Sequence, residues 1–145
     1  MQIRNTTCAI ALAAFTYGAI PAFAQDTTAR DVGAKIGEAG AAIRNYTVEQ
    51  RDEAVKNARA ALDDLDARIE RLAADIDAKW DKLDAAGRKK AYEAMDRLRK
   101  ERNDAAEWMG ALKHGSREAW GDVKNGFAKS YETLAKSFSK AKEEF

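Results

Sequence analysis

The aliphatic residues that follow Thr47 recur with a period of seven. A second series is formed by leucines that follow two of these residues at a distance of three. These positions are Val48, Val55, Leu62, Ile69, Ile76 and Leu83, with Leu65 and Leu72 in the second series. A seven-residue repeat drifts around a straight helix and stays buried only when the helix supercoils against another one. The pattern predicts a long helix over about residues 47–86, packed on a partner helix. Thr47 and Gln50 have the spacing of a capping box at its start.

A second apolar series begins after Gly87. It consists of Met95, Leu98, Met109 and Leu112, and it predicts a helix over about residues 88–113. The register changes at Gly87, where a turn is the preferred interpretation and a kinked continuous helix is the alternative. Arg102 occupies one position of this apolar series, and we expect its side chain to lie across the apolar stripe with its charge in water.

A third helix is predicted over about residues 116–143, because Gly115 is typical of a helix end and Ser116 of a helix start. Its apolar stripe is narrow and rich in aromatic residues, and lysines border it. The stripe contains Trp120, Phe127, Tyr131, Leu134 and Phe138, with Lys124 and Lys140 beside it. Aromatic rings at helical spacing favour a core position for this stripe, and for Trp80 and Trp108 as well. The alternative is a face that contacts lipid or a partner.

The segment before the long helix has a weaker pattern. Ile36 and Ile43 continue a helical spacing, but Gly33, Gly37 and Gly40 each cost about 1 kcal/mol relative to alanine in a helix. Residues 25–46 are therefore predicted to be flexible, with a weak helix.

The first 24 residues have the order of a secretory signal. Arg4 precedes an uncharged apolar run at residues 8–20, and Pro21 is followed by alanines at 22 and 24. This arrangement predicts cleavage between Ala24 and Gln25 and a periplasmic or secreted product. A retained membrane anchor is the alternative, although the run is shorter than the roughly 20 residues of a spanning helix.

Charge and composition exclude several function classes. The chain has 25 basic and 24 acidic residues, a balance that gives no general attraction for nucleic acid.

Residues 47–86 carry 11 acidic and 7 basic side chains, whereas residues 87–112 and 113–145 each carry 7 basic and 5 acidic ones. Opposite net charges favour packing of the two later helices on the first, although screened surface pairs add little.

No catalytic constellation can be assembled from these residues. Cys8 lies in the predicted signal and His114 is the only histidine, so a zinc site is excluded in the mature chain. We interpret Asp63, Asp64 and Asp66 as a solvated helix face, because a calcium loop needs a glycine and a closing glutamate. The sequence predicts a non-enzymatic protein with no metal, cofactor or small-molecule substrate.

A further indication comes from five stretches of the chain: residues 46–54 (YTVEQRDEA), 65–69 (LDARI), 98–103 (LRKERN), Ala106-Glu107-Trp108 and 112–114 leading into 119–127. These stretches resemble a family of small bacterial helical proteins labelled as stress-response or uncharacterised coiled-coil proteins. The resemblance implies helices and a non-enzymatic role, and it supplies no catalytic residues.

Together these observations predict an all-α fold, an antiparallel helical coiled coil or three-helix bundle with one long helix. The expected function is structural, adaptor or chaperone-like, through contact with itself or another helical protein. The alternative is binding to a membrane surface through the last helix.

Overall fold

The computed structural model describes residues 29–145, and it is all-helical, as predicted. The described part of the chain forms four helices: α1 (Ala29–Ala42), α2 (Arg51–Lys79), α3 (Ala85–His114) and α4 (Trp120–Glu144). Short 3-10 turns occupy Ile43–Asn45, Val48–Gln50 and Trp80–Lys82, and no strand occurs between residues 29 and 145. The predicted signal peptide, its cleavage point and the predicted tail before residue 29 lie outside the described residues.

The start of α2 follows the predicted capping box. The backbone N–H of Thr47 donates to Oε1 of Gln50 at 3.1 Å, and the Thr47 side chain accepts the reciprocal bond from the Gln50 backbone. This pair satisfies two amide groups that a helix start leaves without partners. The 3-10 turn Val48–Gln50 then leads into α2 at Arg51.

The break between α2 and α3 comes earlier than predicted. Leu83 and Asp84 both have extended backbone conformations, which end the helical path. The Asp84 side chain then caps α3 by accepting a hydrogen bond from the Gly87 N–H at 2.7 Å. Gly87 therefore lies in the first turn of α3, so neither the turn at Gly87 nor the kinked continuous helix is correct. The end of α3 at His114, which is exposed, agrees with the prediction, and Gly115 follows. The next helix begins later than the predicted residue 116: Ser116 accepts a hydrogen bond from the Ala119 N–H at 3.2 Å in a turn, and α4 starts at Trp120.

Consecutive helices run in opposite directions, and α4 packs most extensively, against α3 and α1. The Ser137 hydroxyl of α4 donates to Glu101 of α3 at 2.9 Å, and the Tyr131 hydroxyl donates to the Ala61 carbonyl of α2 at 2.9 Å. The described chain thus has four packed helices, where the sequence predicted three helices after a flexible segment. The additional helix is α1, which packs along α4 through Ile36 and reaches Ile43 in the turn that follows it; both side chains are buried.

One core runs between the helices and contains side chains from all four. In α2 the fully buried positions are Ala54, Ala58 and Leu65. Alanines at the first two positions let neighbouring helices approach closely, and the larger rings of α4 fill the space between them.

Candidate functional site

The two apolar series predicted for α2 and α3, which we call the seams, contribute to one core inside the chain. Seven of their members are buried in the common core, and five are partly exposed at its edge. The buried members are Leu62, Leu65, Leu72, Ile76, Leu98, Met109 and Leu112, and the edge members are Val48, Val55, Ile69, Leu83 and Met95. Because the buried seam residues are covered by helices of the same chain, a partner would have to bind a different surface of the bundle.

The apolar residues of the aromatic stripe on α4 are also core residues. None of Trp120, Phe127, Tyr131, Leu134 and Phe138 is more than 5% exposed. Lys124 borders the stripe, and its Nζ donates to the Tyr46 carbonyl at 3.0 Å, beside the Trp120 Nε1–H, which donates to the same oxygen at 3.1 Å. Contact of this stripe with lipid would therefore require α4 to leave the bundle.

Two tryptophans predicted to be core residues are instead partly exposed. Trp80 is 37% exposed and Trp108 is 38% exposed. Trp80 lies in the turn between α2 and α3, where the Arg88 guanidinium stacks over its ring at 5.5 Å from the centroid. Trp108 lies at the edge of α3 against the backbone of Gly126 on α4. The expectation was wrong for Trp80 because helical spacing does not reveal where a neighbouring helix ends. It was wrong for Trp108 because spacing does not reveal that the facing residue, Gly126, has no side chain to cover the ring.

The Arg102 side chain is 44% exposed, as expected for a charge that reaches water, and it also pairs with an aspartate of α2. Its Nη2 lies 2.7 Å from Asp66 Oδ2, and its Nε donates to both carboxylate oxygens at 3.1 Å. This hydrogen bond raises the pKa of Arg102. Asp64 pairs with Arg68 one turn later in α2 at 2.7 Å. Two of the three clustered aspartates are thus held in ion pairs, and the side chains described from residue 34 to residue 145 include no acidic, His or Cys cluster suited to a metal ion.

A groove of about 580 Å³ runs along the surface between α1 and α4. Its floor consists of small residues and its rim carries charges of both signs. The floor is formed by Ala34, Gly37, Ala41, Ala135 and Ser139, and the rim by Glu38, Glu132, Lys136, Lys140 and Glu143. Sequence reasoning missed this groove. The spacing of Ala34, Gly37 and Ala41 by three and four residues is the signal that could have indicated a face of small side chains on α1.

An ion pair closes one end of the groove. Arg44 Nη1 lies 2.7 Å from Glu132 Oε1 on α4, and Arg44 Nη2 donates to the other oxygen at 3.4 Å. The hydrogen bonds from Arg44 lower the pKa of Glu132. The pair joins the turn after α1 to the middle of α4 and fixes the groove at that end.

No family model, curated protein or solved structure compared with this chain gives a significant match. None of the helices within residues 29–145 has the length and apolar character needed to cross a bilayer.

Proposed function

We propose that this chain is an exported, non-enzymatic helical protein of the bacterial envelope that acts by helix-to-helix contact, as an adaptor or chaperone in envelope stress. In this proposal residues 1–24 are a signal peptide that is cleaved after Ala24. The α2 and α3 seams pack in the manner of an antiparallel coiled coil and hold the bundle together. The family resemblance of residues 46–145 supports the stress-related role.

The observation that carries the proposal is the groove between α1 and α4. Its floor of small residues permits the close approach of another helix, and its rim offers both lysine and glutamate side chains. An amphipathic helix fits such a surface, because its apolar face can cover the floor while its charged flanks meet the rim. The partner helix belongs to a second copy of this chain or to another helical protein.

Gly37 and Gly110 offer a matched pair of variants for testing this role. Both are helical glycines at which an added Cβ would meet nothing within 4 Å, but only Gly37 lies in the groove. A Gly37→Gln side chain would fill part of the groove, whereas Gly110→Gln adds the same side chain to α3 outside it. Every buried core residue that the structure describes lies between Ile36 and Ala141, so a chain that begins at Gln25 retains all of them and can be used.

Light scattering across a concentration range measures self-association of the three proteins. In parallel, suppression of the thermal aggregation of a model client protein measures chaperone-like activity. We expect at least one of the two activities in the unmodified chain and in Gly110→Gln, and its loss in Gly37→Gln. A protein that neither associates nor protects the client, or one for which both glycine variants behave alike, would contradict the proposal.

The competing proposal is binding of the α4 stripe to a membrane surface. Lys136 and Lys140 support membrane binding, since both are exposed side chains of α4. The burial of Trp120 and Phe127 weighs against it, because opening the bundle would expose much of the core to water.

A further inference from the structure

The turn between α2 and α3 projects beyond the end of α4. Lys79 Nζ donates to the Phe145 carbonyl at 2.6 Å, so the last residue of the chain lies level with the end of α2. On the other side, Glu101 lies opposite Ser137 in the antiparallel α3–α4 pair. At equal rise per residue, Phe145 then lies opposite about residue 93. Residues 80–92 therefore extend past α4, and we call them the hairpin tip.

The hairpin tip holds two of the three large hydrophobic side chains that are exposed between residues 34 and 145. These are Trp80, 37% exposed, and Tyr92, 71% exposed. Arg88 lies between them: its guanidinium stacks on the Trp80 ring, its Nε donates to the Trp80 carbonyl at 3.2 Å, and Tyr92 follows it by one helical turn. The two aromatic side chains and the arginine therefore share one side of the tip.

Positive charge is concentrated in the same segment. Residues 80–92 contain four basic and two acidic side chains, whereas the chain from Gln25 onward is balanced. One of the two acids, Asp84, is already occupied as the cap of α3. Lys82, Lys89 and Lys90 are all exposed. The Lys89 Nζ lies 3.8 Å from Glu93 Oε1 on the same helix, an exposed pair that solvent screens.

We propose that the hairpin tip is a peripheral contact site for an anionic phospholipid surface. Tryptophan and tyrosine favour the boundary between headgroups and acyl chains, because each combines an apolar ring with a polar group. Lysines beside them are attracted to the negative surface potential. This contact needs no change in the fold, since Trp80 and Tyr92 are already exposed. It goes beyond the proposed helix-to-helix function and leaves the groove between α1 and α4 free.

Vesicle flotation tests the proposal with the chain that begins at Gln25. Vesicles of phosphatidylcholine alone are compared with vesicles that also contain phosphatidylglycerol, at low and at high salt. We expect flotation only with the anionic vesicles and its loss at high salt. The double substitution Lys89→Glu/Lys90→Glu should lower the bound fraction about tenfold or more, because it reverses two surface charges. Tyr92→Ser should lower it at unchanged charge.

The control is Lys56→Glu/Lys100→Glu, which makes the same change in net charge at exposed positions outside the tip. Circular dichroism verifies that each variant keeps its helix content and melting temperature. Three outcomes would overturn the proposal: no flotation with either vesicle, equal flotation with neutral and anionic vesicles, or equal weakening by the tip and control substitutions.

Discussion

Gly40 of α1 lies directly against the ring of Tyr131 on α4. A Cβ added to Gly40 would come within 2.3 Å of Tyr131 Cδ1, closer than two carbon atoms can approach without a shift. Tyr131 is itself fixed, since it is 1% exposed and its hydroxyl donates to the Ala61 carbonyl of α2. The glycine thus permits α1 to approach a ring that also joins α4 to α2.

We predict that Gly40→Ala destabilises the protein by about 1–3 kcal/mol, because overpacking forces the ring or the helix to move. Gly37→Ala is the matched control one turn earlier in α1, where a Cβ would meet nothing within 4 Å. It should stabilise the protein by roughly 0.5–1 kcal/mol through helix propensity. Urea denaturation of the two variants gives the free energies of unfolding. Equal effects of the two substitutions would show that α1 does not pack on Tyr131.

A second close approach joins α3 to α4 at Gly126. A Cβ at this glycine would lie 2.5 Å from the Trp108 ring, so Gly126→Ala should cost about 1–3 kcal/mol. The same substitution should cost much less in a Trp108→Leu background, because a smaller side chain leaves room for the methyl group. A double-mutant cycle by urea denaturation measures this coupling. Gly110→Ala on α3 is the control, since nothing lies within 4 Å of its Cβ position. Additive effects at Gly126 and Trp108 would contradict the observed contact.

Local features of the sequence were enough to predict the helices, but they could not predict the contacts between the helices. The heptads predicted α2 and named Leu62, Leu65 and Ile76, which are buried, because periodicity records which face of a helix avoids water. The turn after α2 was misplaced because glycine was given more weight than Asp84, whose capping side chain decides where α3 begins.

The groove and the close glycine contacts lay beyond a sequence-based prediction. Gly40 and Tyr131 are separated by 90 residues in the chain, and no local rule joins them. The glycines of α1 counted only as a cost to its helix, whereas one of them, Gly40, permits the packing of that helix. Trp80 was wrongly predicted to be buried, because its helical spacing could not show that α4 does not reach it.

The bidentate pair of Arg102 and Asp66 joins α3 to α2 at the surface. The Arg102 side chain is 44% exposed and that of Asp66 is 24% exposed, so solvent screens the pair. We predict a coupling of about 0.2–1 kcal/mol in a cycle of Arg102→Ala and Asp66→Ala, decreasing at high salt. Lys113→Ala, at an exposed position in the last turn of α3, serves as the control and should show no coupling to Asp66→Ala. In 1 M salt the Debye length falls to about 3 Å, from about 10 Å at 0.1 M. A coupling that persists unchanged in 1 M salt would contradict a solvent-exposed pair.

The pair of Arg44 and Glu132 should make stability depend on pH in the acid range. Hydrogen bonding to Arg44 lowers the pKa of Glu132 in the folded protein below the ordinary value of 4.5. The carboxylate therefore contributes fully at pH values above 4.5, and its contribution is lost as the pH falls through the lowered folded pKa. Because the pair is partly exposed, at 37% for Arg44 and 29% for Glu132, we expect at most about 1 kcal/mol.

Urea denaturation between pH 7 and pH 3 measures this dependence. Glu132→Gln should be less stable than the unmodified chain at pH 7, and the difference should shrink as the pH falls. In an Arg44→Gln background the same substitution should change stability little at any pH, because the group that favours the charged carboxylate is gone. A difference that stays constant from pH 7 to pH 3 would show that Glu132 supports α1 by packing and not by its charge.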